Sequence, residues 1–315
     1  MKRYIITFAA ILSVCPLFSQ EKVKFMPAWQ PQAQFAGYYI ALEKGFFKEV
    51  GLDVTIEHVG VNSSRPPIDR LADGEVDIIL SNPVQSLVAR DNGLNIRNVL
   101  QVNQTTGMMI VSHQPIKGPK SLQGLSVARW KTGFNEICEI CLRANNIEVN
   151  WVPFLGGVNI FLSKAVDATV VMSYAEYFDL VEALGEIPKE NTIRFSDWGY
   201  DIPEDGVYVL EEYLDAHPET VRKFCDAVKK GWLWCMDNRE EAVDIVMEYV
   251  RSLGVRTNRF HQASMLNEML NLIVDKNLDE VTFGAVPQDV FDVLVKYLVE
   301  MGFISKAVTY EEFIG

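Results

Sequence analysis

The segment that most constrains the fold runs from Val23 to Val59. Apolar residues from Val23 to Met26 predict a strand, and an aromatic-rich loop follows. Apolar residues at helical spacing then predict a helix that ends at Gly51, before a second strand from Val54 to Val59. Strand, loop, helix and strand form the repeating unit of α/β sheets, which bind ligands beyond the carboxyl ends of their strands. The aromatic loop is therefore the first candidate for a ligand site.

The same alternation continues to about residue 195. Further strands are predicted at 76–80, 98–102, 108–112, 125–129, 151–154, 167–172 and 192–195, and helices at 66–72, 83–91, 134–144, 158–164 and 174–184. Beyond Val209 only helices are predicted, at about 211–216, 218–236, 238–252, 257–275 and 287–301. This pattern predicts an α/β protein with mostly parallel sheets flanked by helices and an added C-terminal helical segment.

Residues 1–19 have the pattern of a signal peptide. A basic start precedes an apolar run at 5–18, which is too short to span a bilayer comfortably. Cleavage near Gln20 predicts an exported, periplasmic protein, and no later segment is apolar enough to be transmembrane. The sequence Leu-Ser-Val-Cys ending at Cys15 resembles a lipobox, although Val14 is bulkier than the small residue expected there. Lipid anchoring through Cys15 therefore stays open.

The charge balance argues against two classes of partner. The chain has 29 basic and 42 acidic residues, and loss of residues 1–19 moves the net charge from −13 to −15. An acidic chain repels nucleic acid and anionic membranes, so neither is expected as a partner. The remaining length of about 300 residues is sufficient for two hydrophobic cores, which favours two lobes in one chain.

Cysteine and histidine positions do not suggest a metal or redox site. Cys138 and Cys141 lie within a predicted helix rather than at its N-terminus, where the helix dipole would lower a thiol pKa, so two small buried side chains are favoured. Cys225 and Cys235 lie in another amphipathic helix, and a disulfide between any pair stays open in an exported protein. The four histidines are dispersed without metal-ligand spacing. No metal and no cofactor are predicted.

Two stretches rich in glycine and proline mark crossings between the lobes. One lies at 107–119 and the other at 197–206. They predict lobe 1 at 20–108 plus 206–300, lobe 2 at 109–205, and a C-terminal tail at 301–315. Two lobes joined by two crossings form a hinged clamp that closes around a ligand.

Several segments resemble the NMT1/THI5-like binding proteins, which have the type II periplasmic-binding-protein fold. The segment from Trp29 to Tyr39 (WQPQAQFAGYY) is similar to that of the members that import hydroxymethylpyrimidine or formylaminopyrimidine, precursors of the thiamine pyrimidine ring. Shorter segments at 67–77, 121–127, 164–176 and 217–224 are similar to other family elements. The resemblance covers about residues 22–250. It implies a monomeric, extracytoplasmic binding protein of an ABC importer, with a permease and its ATPase as partners.

An aminopyrimidine needs aromatic faces for stacking and acceptors for its exocyclic N–H groups. Aromatic candidates are Trp29, Phe35 and Tyr38 in lobe 1 and Trp130, Phe134, Tyr174 and Trp198 in lobe 2 or its return crossing. Glu176, just after a predicted strand, is the carboxylate candidate for the amino group, because a charge-assisted pair is strong and directional. Asn82 follows the strand at 76–80 and offers a donor and an acceptor. Asp205, with Asp201 and Glu204, is a weaker candidate at the second crossing.

Each of these assignments has a structural alternative. The aromatic residues Trp29, Tyr38, Trp130 and Trp198 are also typical of interdomain packing, and Tyr39 begins the apolar stripe of its helix. A carboxylate at the position of Glu176 also stabilises a helix N-terminus through the macrodipole.

Two functional alternatives remain. The eukaryotic members of the superfamily make hydroxymethylpyrimidine phosphate with an active-site lysine and histidine and with pyridoxal phosphate. In an ungapped match, Ser81 and Gln85 occupy those two positions, and the segment 200–205 lacks the cysteines of their iron motif. Because Ser81 cannot form a Schiff base, an enzyme is not expected. The other alternative is a binding protein for another small solute, such as a riboflavin-like compound, a sulfonate or nitrate.

Overall fold

The computed structural model describes residues 20–59, 65–131, 135–154, 157–273 and 284–315. Its strands are β1 (Glu21–Met26), β2 (Leu52–Ile56), β3 (Ile78–Ser81), β4 (Ile96–Gln101), β5 (Met108–Ser112), β6 (Ser126–Trp130), β7 (Asn150–Phe154), β8 (Ala168–Met172), β9 (Thr192–Arg194) and β10 (Gly206–Leu210).

Its α-helices are α1 (Ala36–Glu43), α2 (Phe46–Glu49), α3 (Pro67–Ala72), α4 (Pro83–Asp91), α5 (Asn135–Ala144), α6 (Asn159–Leu162), α7 (Glu176–Leu184), α8 (Glu211–Ala216), α9 (Pro218–Asp237), α10 (Arg239–Ser252), α11 (Arg259–Ile273), α12 (Gln288–Glu300) and α13 (Tyr310–Phe313). Short 3-10 helices lie at Ala33–Phe35, Pro119–Leu122, Lys189–Asn191 and Ser196–Trp198. In the described part of the chain, no helix is both long and apolar enough to cross a bilayer.

The first sheet has the strand order β2-β1-β3-β10-β4. β1 pairs in parallel with β2 and β3, whereas β10 pairs antiparallel with β3 and β4. Four strands therefore run in one direction, and the reversed strand is the one that follows the return crossing. β3 is buried at all four positions, as expected for a strand inside a sheet that is covered by helices.

The second sheet repeats this plan with the order β7-β6-β8-β5-β9. β6 pairs in parallel with β7 and β8, whereas β5 pairs antiparallel with β8 and β9. The reversed strand is again the first one after a crossing. All five positions of β5 and of β8 are buried. The predicted α/β class, with two mostly parallel sheets flanked by helices, is confirmed.

Two local predictions were wrong. The predicted helix that ends at Gly51 is two helices, α1 and α2, because Gly45 between them adopts the left-handed conformation (φ 76°), which glycine reaches at little cost. The strand β10 was not predicted. Its sequence GVYVL is a short, fully apolar run, and periodicity does not separate a buried strand from a buried helix in such a run.

A close contact between α1 and α9 anchors the aromatic loop to the first sheet. A Cβ on Gly231 would lie 2.0 Å from the carbonyl oxygen of Gly37, and a Cβ on Gly37 would lie 2.4 Å from the ring of Trp232. Any side chain at either glycine would therefore force the helices apart. This packing fixes the start of α1, which directly follows the predicted ligand loop.

The cysteines Cys138, Cys141, Cys225 and Cys235 are buried and free. Burial raises the pKa of each thiol, which keeps it protonated and unreactive near neutral pH. The predicted signal peptide (1–19), including Cys15, lies outside the described residues.

Candidate ligand-binding site

A cavity of about 310 Å³ lies between the loop after β1, the carboxyl ends of β6, β7 and β8, and the helices α7 and α11. Its lining includes Trp29, Gln32, Gln34, Trp130, Lys131, Phe154, Met172, Tyr174, Glu176, Asp179, His261 and Met265. This volume is at the lower end of the range for small-molecule sites and suits a single-ring solute. The cavity also has the location expected for a ligand site in an α/β protein, beyond the carboxyl ends of the strands.

Glu176 and Trp130 form the polar centre of the cavity. The indole Nε1–H of Trp130 donates to Oε1 of Glu176 at 2.9 Å, and the backbone N–H of Met172 donates to Oε2 at 3.1 Å. Burial raises the pKa of Glu176, and these two hydrogen bonds oppose the rise. A carboxylate has about four lone-pair positions, so each oxygen retains a position for a ligand N–H donor.

A second carboxylate, Asp179, follows one turn later on α7. Its Oδ1 lies 3.4 Å from Nδ1 of His261 on α11, and Oε1 of Glu182 lies 4.0 Å from the same nitrogen. Burial raises the pKa of Asp179, whereas the charge of His261 lowers it. This cluster connects α11 to the helix that carries Glu176, and it brings a second acidic group to the cavity wall.

Gln34 connects the aromatic loop to the return crossing and to the β8–α7 connection. Its Nε2 donates to Oδ2 of Asp205 at 2.8 Å and to the hydroxyl of Tyr174 at 3.2 Å. Its Oε1 accepts a hydrogen bond from Nε2 of Gln32 at 2.5 Å. Burial raises the pKa of Asp205 to about 7, and the hydrogen bond from Gln34 opposes the rise. Gln34 is thus a buried link between the loop, the β8–α7 connection and the return crossing.

The two crossings are tied to each other by carboxylates of the return crossing. Oδ1 of Asp201 accepts from the Thr105 hydroxyl and the Thr106 backbone, both at 2.7 Å. The fully buried Glu204 accepts from the Thr106 hydroxyl, and from the Gly107 backbone at 3.1 Å. Burial raises the pKa of Glu204 to about 7. These hydrogen bonds join the two crossings to each other.

The structure brings four of the sequence-predicted site residues to the cavity: Trp29, Trp130, Tyr174 and Glu176. Trp29 is 54% exposed. Tyr174 is almost fully buried, and its hydroxyl pKa is raised, first by burial and then by the nearby charge of Asp205.

Five other predicted site residues lie away from the cavity lining. Phe35 and Tyr38 are fully buried in the core, where the ring of Tyr38 stacks on Phe25 at 4.6 Å. Asn82 caps α4, and its Oδ1 accepts from the Gln85 backbone at 2.9 Å. Trp198 packs edge-on against Phe195 at 5.9 Å, and Asp205 accepts a hydrogen bond from Gln34 without lining the cavity. Phe134 is outside the described residues.

The sequence interpretation missed several lining residues. Asp179 had a usable signal, because it is three positions after Glu176 on the same predicted helix and therefore shares its face. Gln34 lies inside the aromatic loop, whose aromatic residues alone were predicted to contact the ligand. His261 and Met265 had no local signal, since α11 reaches the cavity through long-range packing.

A family model described as "NMT1/THI5 like" matches residues 32–242. A formylaminopyrimidine-binding protein of Halalkalibacterium halodurans is 28% identical over 238 residues, which are 72% of this chain and 70% of the relative. The riboflavin-binding protein RibY of Chloroflexus aurantiacus is 22% identical, over 73% of this chain and 67% of the relative. A 4-amino-5-hydroxymethyl-2-methylpyrimidine phosphate synthase of Saccharomyces cerevisiae is 23% identical, over 68% and 66%.

Solved structures share the fold. The periplasmic aliphatic sulphonate binding protein SsuA of Escherichia coli is similar with a TM-score of 0.69 at 13% identity, over 94% of this chain and 92% of that one. At this identity the similarity shows the fold alone. The predicted periplasmic-binding-protein fold is confirmed.

Proposed function

The chain belongs to the NMT1/THI5-like family, and from that membership we propose that it is the extracytoplasmic solute-binding protein of an ABC importer. Its ligand is a thiamine-precursor pyrimidine, formylaminopyrimidine or hydroxymethylpyrimidine, held between two closing lobes. Its partners are a membrane permease and the associated ATPase, to which it delivers the ligand as a monomer. Residues 1–19 direct export to the periplasm, with Cys15 as an alternative site of lipid attachment.

The observation that carries this proposal is the Trp130–Glu176 pair inside the cavity. Trp130 supplies an aromatic face, and its N–H holds the carboxylate of Glu176 at 2.9 Å. A flat aminopyrimidine can stack on aromatic rings while its exocyclic amino group donates to the carboxylate. Trp29, on the loop after β1, offers a second aromatic side chain to the same cavity.

The charges of the lining disfavour anionic solutes. The cavity is lined by the carboxylates of Glu176 and Asp179, with Lys131 and His261 as basic side chains. A sulfonate or nitrate site needs a dominant set of cations or backbone N–H donors. Because the lining has two carboxylates beside one lysine and one histidine, it favours a neutral or cationic ligand that brings its own N–H donors.

An enzymatic role receives less support from the residues present. In the ungapped match to the eukaryotic synthases, Ser81 and Gln85 stand where the resemblance implies a lysine and a histidine in those enzymes. Here Ser81 is buried, with its hydroxyl 3.3 Å from that of Ser86, and it has no amine for a Schiff base. Binding and delivery of a pyrimidine therefore account for this site better than its synthesis.

Ligand binding must favour the closed arrangement if the importer is to recognise the loaded protein. A shift from mostly open to mostly closed needs a differential affinity of a few kcal/mol, up to about 5.5 for complete reversal. The cavity is suited to this, because its lining combines the loop after β1, a strand of the first sheet, with the β8–α7 connection of the second sheet.

Calorimetric titration of the purified protein, stripped of carried-over solute, tests the proposal. Formylaminopyrimidine and hydroxymethylpyrimidine are compared with riboflavin, nitrate and an alkanesulfonate. Saturable one-to-one binding of a pyrimidine, with weaker or no binding of the others, is expected. Tighter binding of riboflavin would transfer the assignment to that solute class, and binding of the anions alone would overturn the role given to Glu176.

A further inference from the structure

We propose that Tyr39 and His58 act as a positioning pair that fixes the backbone of Trp29 and thereby sets the aromatic wall of the cavity. The inference rests on the proposed function only in taking this cavity as the ligand site. Neither Tyr39 nor His58 lines the cavity, whereas both Trp29 and Gln32 do.

The pair holds the loop at Trp29. The hydroxyl of Tyr39 lies 3.2 Å from Nε2 of His58, and Nδ1 of His58 lies 3.2 Å from the carbonyl oxygen of Trp29. Two side chains from outside the loop therefore form a hydrogen-bonded chain that ends on the backbone of Trp29.

The chemistry of the partners fixes where the protons are. A carbonyl oxygen only accepts, so Nδ1 of His58 carries the hydrogen that is directed at Trp29. Burial lowers the pKa of His58, which keeps the ring neutral near pH 7 and leaves Nε2 as an acceptor. The Tyr39 hydroxyl must then donate to His58.

Tyr39 is held in place by packing in the core. Tyr39 is fully buried, and its ring stacks on that of Tyr249 at 4.1 Å with an interplanar angle of 13°. The Tyr249 hydroxyl in turn donates to Oε1 of Glu43 at 2.7 Å. Tyr39 lies in α1 and His58 follows β2, so the loop is fastened to the core of the first sheet.

Trp29 depends on such fastening because core packing does not hold its ring. Its residue surface is 54% exposed, which makes it one of the large hydrophobic side chains most open to solvent. A loop free to move would have to be ordered at the moment of binding, which weakens affinity. The pair removes that cost by ordering the backbone of Trp29 before the ligand arrives.

Two variants separate this role from general packing. Tyr39→Phe removes the hydroxyl and keeps the ring that stacks on Tyr249. His58→Asn keeps an N–H donor near the position of Nδ1, whereas His58→Gln keeps an acceptor near Nε2 and loses the donor to Trp29. We expect His58→Asn to retain more loop order and affinity than His58→Gln.

The first readout is independent of any ligand. Nitrogen-15 NMR of the imidazole at pH 7 should show His58 as the neutral Nδ1–H tautomer, and the backbone order parameter of Trp29 should fall in Tyr39→Phe. An Nε2–H tautomer, or an unchanged order parameter in Tyr39→Phe, would overturn the proposal. These outcomes hold whether or not the protein binds a pyrimidine.

The second readout is affinity for formylaminopyrimidine by calorimetry. Loss of one neutral hydrogen bond should weaken binding about 2- to 10-fold in Tyr39→Phe. If the pair acts through Trp29, the same change made in Trp29→Ala should have little further effect. An equal loss in both backgrounds would contradict positioning of Trp29. Absence of pyrimidine binding in the unmodified protein would instead contradict the proposed ligand, and the NMR result would still decide the role of the pair.

Discussion

The indole nitrogen of Trp130 donates a hydrogen bond to the carboxylate of Glu176 at 2.9 Å, across 46 positions of sequence. Trp130 ends β6, and Glu176 begins α7 just after the neighbouring strand β8. Parallel pairing of these strands brings their carboxyl ends together, which is why two distant residues form one group. The aromatic face and the acidic acceptor of the cavity are therefore held in a fixed relation before any ligand binds.

Replacement of Trp130 by phenylalanine should separate the ring from its N–H group. The aromatic face remains, but Glu176 loses a donor that opposes the effect of burial, so its pKa should rise further. The affinity for an aminopyrimidine should then begin to fall at a higher pH on acidification. Calorimetry between pH 5 and pH 8 measures the midpoint. Trp198→Phe, which lies away from the cavity lining, is the matched control, and an equal shift in both variants would contradict this explanation.

Replacement of Trp29 by alanine should weaken pyrimidine binding by roughly 1–3 kcal/mol, the loss expected when an aromatic platform is removed from a stacked base. Because Trp29 is 54% exposed, the free energy of unfolding should change little. Calorimetry and urea denaturation measure the two quantities. Unchanged affinity, or a large loss of stability, would assign Trp29 to packing instead of ligand contact.

The buried carboxyls of the return crossing should make stability depend on pH. Burial raises the pKa of both Glu204 and Asp205 to about 7 in the folded state, well above the unfolded values. Between about pH 4 and pH 7 the folded state therefore binds more protons than the unfolded state. The free energy of unfolding should fall as pH rises through this range, by at most about 1.4 kcal/mol per pH unit for each carboxyl.

Asp205→Asn tests this dependence, because the asparagine oxygen can still accept from Gln34 without becoming charged. Urea denaturation at several pH values should give a shallower slope for the variant than for the unmodified protein. A slope that stays the same would show that Asp205 does not titrate in this range. Asp197→Asn, at an exposed position, is the control and should leave the slope unchanged.

Much of the fold follows from local pattern. The bounds of α4 and β5 agree with the prediction, since Pro83 begins the helix and an uninterrupted apolar run forms the strand. The division into lobes at 108 and 206 stays a prediction, although the second sheet draws its strands from Met108 to Arg194. The carboxyl-end rule also put Trp130 and Glu176 among the site candidates, because each follows a predicted strand.

The remaining site residues depend on contacts that local pattern does not encode. An aromatic residue in an amphipathic helix can face a ligand or the core. Tyr38 faces the core because α1 packs closely on α9 through Gly37 and Gly231, which are 194 positions apart in sequence. His261 lines the cavity because tertiary packing, which local pattern does not encode, places α11 there. Position along the chain therefore indicated the cavity, but it did not identify its complete lining.

A thermodynamic cycle tests whether Glu176 pairs with the exocyclic amino group of the ligand. Calorimetry compares hydroxymethylpyrimidine with its analogue lacking the amino group, on the unmodified protein and on Glu176→Gln. Glutamine can accept from only one of the two donors that Glu176 serves, so the substitution also alters the cavity itself. Both ligands meet the same altered cavity, and this contribution to the loss of affinity cancels when the two losses are compared. We expect a greater loss for the aminopyrimidine, by about 1.5–3 kcal/mol as for a charged hydrogen bond. Equal losses for both ligands would contradict this pairing.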